Sequence, residues 1–159
     1  MANGKAAISQ YFSELIGDSY KTWKNTKIVM DGGTGTGKTF FNLNILGIYA
    51  KDQRKRVLYL CNRKGLKHQI IREVRALELK ETVYVMTYQQ LESFINSNTI
   101  IGDFDYIIAD ECHYSTNDAR FNDYTDISYN FLKNQSGNVV IYVSATAKVF
   151  FKHLLKEKV

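Results

Sequence analysis

The sequence contains no proline, against about 5% in average usage, and no stretch of it reads as a linker, a repeat or a low-complexity tract. Cysteine is almost as scarce. Cys61 and Cys112 stand far apart with no CxxC pair, and there are three histidines, so a disulfide scaffold and a zinc module are both poor readings. No apolar run approaches the ~20 residues of a membrane span. The first ten residues, Met1–Gln10, lack the apolar core of a signal peptide. What remains is ordinary globular composition: 159 residues, 45% apolar, 23% charged and 13% aromatic. A chain of that length buries roughly 70% of its unfolded surface and folds without a covalent or metal staple. A soluble, cytoplasmic, single-domain protein is the expectation. The net charge of +5 permits a polyanionic partner without requiring one.

Short β-branched or aromatic runs recur, each followed by a longer stretch of helical period. Lys27–Asp31, Arg56–Cys61, Val83–Met86, Asp105–Asp110 and Asn138–Ser144 read as strands. The intervening stretches read as helices. One runs from Lys38 to about Ala50 with Phe41, Ile45 and Ile48 on one face. A second, Lys64–Leu77, aligns Leu66, Ile70, Val74 and Leu77. A third lies around Tyr88–Ile95, and a fourth near Asp118–Leu132 places Phe121, Tyr124, Ile127 and Phe131 inward. Strands that are apolar without alternation are covered on both faces, which predicts an α/β fold with a mostly parallel sheet between helices. Right-handed crossovers then gather the strand C-termini along one edge, where open α/β sheets bind ligands.

The unusual residues fall at that edge. Gly32-Gly33-Thr34-Gly35-Thr36-Gly37-Lys38-Thr39 matches GxxxxGK[ST] in full, after a strand and at the start of a helix. Glycines let consecutive backbone N–H groups turn inward around a phosphate, and the helix adds its positive N-terminus. In such a loop Lys38 reaches the β- and γ-phosphates of ATP, and the Thr39 hydroxyl ligates Mg2+. A dinucleotide GxGxxG site is rejected. Lys38 occupies its third glycine position, and the second strand ends in Cys61-Asn62-Arg63 with no ribose-binding acid. Asp110-Glu111-Cys112-His113 closes another strand. Asp110 fits the second carboxylate that holds Mg2+ through water, and Glu111 is placed to orient the attacking water. Ser144-Ala145-Thr146 ends the last strand; alone it reads as a helix cap.

Together these stretches resemble the first RecA-like domain of superfamily 2 helicases and translocases of the DExH class. GGTGTGKT resembles motif I, DECH motif II and SAT motif III, in the family's order. Arg63-Lys64-Gly65-Leu66-Lys67-His68-Gln69 resembles motif Ia, and Val85-Met86-Thr87-Tyr88-Gln89 the family's Thr-Tyr-Gln element. The resemblance covers about residues 8–150. It implies a P-loop NTPase, a RecA-like three-layer sandwich, using ATP and Mg2+ and touching the backbone of DNA or RNA through Arg63, Lys64, Thr87 and Tyr88. It implies coupling roles for His113, Ser144 and Thr146, and an adenine-reading glutamine for which Gln10 is the candidate. The chain departs from the family at Asn62 and Ala147, where proline is frequent, and at Gly33, where Pro or Gln is.

The organisation so implied is one RecA-like ATP-binding domain over 1–159: an N-terminal segment 1–26, a motif-bearing core 27–150, and a helix end 151–159. The second RecA-like domain, which in the family brings an arginine finger, is absent from these residues, and little turnover is expected of them alone. A stand-alone P-loop regulatory or decoy protein is the alternative, and a one-domain P-loop kinase is a third reading that lacks an arginine-bearing lid. The remaining basic residues, Lys51, Arg54, Lys55, Arg56, Lys67, Arg72 and Arg75, read as solvated faces except next to Arg63.

Overall fold

The computed structural model describes residues 16–31, 37–62, 64–110 and 126–144. A short 3-10 turn, Ser19–Thr22, leads into β1 (Thr26–Asp31). Helix α1 follows over 38–52, as an α-helical turn Lys38–Phe40, a π-helical stretch Phe41–Gly47 and a second α segment Ile48–Asp52. Then come β2 (Val57–Cys61), α2 (Lys64–Ala76), β3 (Val83–Thr87), α3 (Tyr88–Asn96), β4 (Tyr106–Asp110), α4 (Asp126–Lys133) and β5 (Val139–Ser144).

The five strands form one sheet in the order β1-β5-β4-β2-β3, and every pairing is parallel. The order fixes where the helices go. From β1 to β2 and β2 to β3 the chain moves one way across the sheet; from β3 to β4 and β4 to β5 it moves back. Right-handed crossovers therefore put α1 and α2 on one face and α3 and α4 on the other. The core divides accordingly. Phe41, Leu46, Ile70 and Val74 pack on Val57, Tyr59, Ile108 and Ile141. Tyr88, Leu91 and Leu132 pack on Leu58, Leu60, Ile107 and Tyr142. Neighbouring residues of one strand thus serve opposite faces, which is why β2 and β4 are buried at every position.

The strands lie within a residue or so of their expected limits, and α2 buries Ile70 and Val74 with Leu66 and Leu77 packed alongside, as the sequence period requires. Helix α1 departs from expectation. Its buried face is Phe41, Asn42, Leu43, Leu46, Gly47 and Ala50, while Ile48 is 39% exposed. The π-helical stretch is the reason: each wider turn advances the inward face by an extra residue, so a 3.6-residue count from Phe41 misplaces Ile48. In α4 the fully buried positions are Ser128 and Leu132, with Ile127 and Phe131 only half-buried. Phe121 and Tyr124 lie outside the described residues. No helix among the described residues is long and apolar enough to cross a membrane.

Candidate nucleotide site

The C-terminal ends of the strands come level with one another. Asp31 of β1 pairs in register with Ser144 of β5, and Asp110 of β4 with Val143. At the usual spacing between strands, the ends of β1 and β4 stand about 10 Å apart. From β4 the chain next turns toward β5, and from neighbouring β2 toward β3, so a crevice opens between these two at the same edge.

Helix α1 begins at this edge. Gly37 adopts φ +83° immediately before it, a left-handed conformation that a Cβ would strain. Its carbonyl accepts the first helical bond, from the Phe41 N–H at 2.9 Å. Lys38 and Thr39 are the first two helical residues, both half-buried. The rest of the glycine loop, Gly32, Gly33, Thr34, Gly35 and Thr36, lies outside the described residues, as do Gln10, Arg63, Glu111, His113 and Thr146.

Asp110 is 7% exposed and is held at two atoms by two tyrosines from opposite faces of the sheet. The Tyr59 hydroxyl donates to its Oδ2 at 2.6 Å, and the Tyr88 hydroxyl donates to its backbone carbonyl at 2.9 Å. Burial above all, then the Asp110 charge and hydrogen bond, push the Tyr59 pKa well above that of an ordinary tyrosine; the Thr39 side chain pulls weakly the other way. Tyr59 therefore stays protonated and keeps donating. Thr39, in the first turn of α1, and Asp110, at the end of β4, both stand at this edge of the sheet. Both are hard oxygen donors of the kind Mg2+ takes, so the residues present fit that ion.

Tyr59 escaped the sequence reading, where it is one apolar letter of a buried strand. A signal was there, because a tyrosine inside a strand covered on both faces must find a partner for its hydroxyl.

The expected nucleic-acid residues separate. Lys64 is exposed at the start of α2. Thr87 is 5% exposed and caps α3: its Oγ1 accepts from the Gln90 N–H at 3.1 Å, while Gln90 Oε1 accepts from the Thr87 N–H at 2.9 Å. Tyr88 is 1% exposed. The Tyr88 ring fills the core and its hydroxyl is bonded to the Asp110 carbonyl, so this side chain is engaged within the domain. Ser144 ends β5 beside Asp31, at the same edge as Asp110.

The basic residues also split. Arg56 precedes β2, at the opposite edge of the sheet and about 15 Å from its C-terminal end. Its guanidinium lies beside the edge-to-face pair of Tyr84 and Phe104 rings, 4.9 and 4.6 Å from their centroids, and donates to the Asp103 carbonyl at 3.1 Å. Lys51 donates to the Glu78 carbonyl at 2.9 Å. Lys51, Arg54, Lys55 and Arg56 gather around Glu78 and Glu81 there, remote from the crevice.

A five-stranded parallel sheet between two helix layers, with a glycine-led helix starting at the edge that carries a strand-end aspartate, defines a RecA-like α/β domain. Comparison with known proteins narrows this. The chain belongs to the family described as type III restriction enzyme, res subunit (ResIII), which matches residues 5–149. Among solved structures it is similar to the Hef helicase domain of Pyrococcus furiosus, at 21% identity and a TM-score of 0.61 over 91% of this chain. It is also similar to a nuclease-deletion mutant of the Type ISP restriction-modification enzyme LlaGI, solved with a DNA substrate mimic, at 19% identity and a TM-score of 0.58 over 90% of this chain. The chain spans 35% of the first of those structures and 17% of the second. No curated protein matches it.

Proposed function

We propose that the chain binds ATP with Mg2+ at the C-terminal edge of its sheet and is the nucleotide-binding domain of an ATP-driven motor on DNA or RNA. The observation that carries this reading is the buried Asp110, held by the Tyr59 hydroxyl at the same strand-end edge where the glycine-led helix α1 begins. In it, the amides of Gly32, Gly33, Thr34, Gly35, Thr36 and Gly37 cradle the phosphates. Lys38 neutralises the β- and γ-oxygens, and Thr39 with Asp110 holds Mg2+, Asp110 through water. The ion these residues would hold would supply positive charge to the phosphate oxygens. Glu111 orients the water that attacks the γ-phosphate in line. Arg63 and Lys64 meet the nucleic-acid backbone, and His113, Ser144 and Thr146 couple the two sites.

The motif-bearing core of this proposal is 27–150, and the expected place of work is the cytoplasm, where such a motor meets nucleic acid. Turnover by these 159 residues alone is expected to be low. An arginine finger contributes about 10³- to 10⁵-fold where P-loop enzymes use one, and in the proposed motor a second RecA-like domain brings it. A phosphate-release assay on the 159-residue chain, alone and joined to a second RecA-like domain, tests this. Slow release alone with strong nucleic-acid stimulation when joined is expected; equal, fast release from the monomeric chain alone overturns it.

A further inference from the structure

The structure assigns Tyr59 as a positioning residue of the Mg2+ site: its phenolic hydroxyl, donating to Asp110, sets the lone pairs that this carboxylate presents to the ion. The inference rests on the nucleotide reading above and deepens it. The geometry supplies two parts. Tyr59 sits at the middle of β2, level with Ile108 of β4, so its side chain reaches two residues up the neighbouring strand to Asp110 on the same face. Its hydroxyl donates to Asp110 Oδ2 at 2.6 Å, a short, charge-assisted bond inside the core.

The consequence for metal binding follows from what the carboxylate must offer. A carboxylate that holds metal through water needs a fixed orientation, and the Tyr59 O–H fixes Oδ2 while the Tyr88 O–H fixes the backbone of the same residue. Tyr59 touches neither nucleotide nor metal in this account. It acts through Asp110.

Calorimetric titration of the 159-residue chain and its Tyr59→Phe variant with ADP, in EDTA and over a series of Mg2+ concentrations, tests the assignment. The phenylalanine ring keeps the packing and removes only the hydroxyl. In EDTA the two proteins should bind ADP equally. The Mg2+ concentration that gives half of the ion-dependent gain should rise about tenfold or more in the variant, the size of losing one hydrogen bond to a charged group. An unchanged Mg2+ requirement refutes the role of Tyr59 and leaves the nucleotide site standing. Equal loss in EDTA and in Mg2+ refutes it too, since that marks a packing role. No ADP binding by the wild-type chain removes both readings together. A second readout needs no variant: with ring-13C tyrosine, the Tyr59 Cζ resonance should move when Mg2+ is added to the ADP complex, and a fixed resonance overturns the assignment.

Discussion

Lys67 Nζ lies 2.8 Å from Gln90 Oε1, joining the first turn of α2 to the capped start of α3. The bond ties together the two segments that the resemblance assigns to nucleic acid. Lys64, one helical turn before Lys67, is left on the surface beside them.

Lys64→Ala should therefore weaken binding to single strands and lower the slope of log K against log salt by about 0.7, one phosphate contact. Filter binding across a salt series measures it. An unchanged slope removes Lys64 from the interface.

Tyr88→Phe should do the opposite. Losing the bond to the Asp110 carbonyl should destabilise the fold by about 1–3 kcal/mol, because a buried acceptor loses its donor, while the salt slope stays as in wild type. Chemical denaturation and the same binding series separate these effects. A lowered slope at unchanged stability would return Tyr88 to the interface.

Much of this arrangement is legible in the chain. Leu58, Leu60 and their neighbours are apolar without alternation because helices cover both faces, and the parallel sheet follows from that. Gly37-Lys38-Thr39 marks the proposed phosphate loop by composition. The π-helical turns of α1 are not legible, because nothing in Phe41–Gly47 marks where the wider turns begin, and Ile48 was misplaced for that reason. The separation of the basic residues is not legible either: five residues of β2 carry Arg56 to one edge of the sheet and Lys64 to the other. Tyr59 could be flagged as needing a partner, but naming Asp110 requires knowing that β2 lies beside β4.

Asp110→Ala and Glu111→Gln should part company. Asp110→Ala should weaken the Mg2+-dependent share of nucleotide binding. It should also lower stability by about 1–3 kcal/mol, since the buried Tyr59 hydroxyl loses its acceptor. Glu111→Gln should keep binding and abolish hydrolysis in the complete motor. Calorimetry and phosphate release read the two; normal hydrolysis by Glu111→Gln moves the water-orienting role elsewhere.

Stability should fall above about pH 10. Tyr59 is held well above its usual value, and burial together with Tyr49, Asp105 and Tyr20 pushes Tyr106 up to about 12. Above pH 10 the unfolded chain releases these protons while the folded one keeps them, so proton release favours unfolding. The stabilisation is complete below pH 10 and is lost as pH climbs through the folded values. Thermal melts from pH 8 to 12 should show Tyr106→Phe declining less steeply than wild type. Parallel declines would contradict the cause given for Tyr106.

The central claim is nucleotide binding at the start of α1, and calorimetry with ATP and Mg2+ on the wild-type chain and Lys38→Ala tests it most directly. Wild type should bind, and nucleotide at 100 times its Kd should add about 2.7 kcal/mol of stability, read as a raised Tm. Lys38→Ala should lose most of both effects. Equal affinity in the two proteins, or no binding by either, contradicts the account.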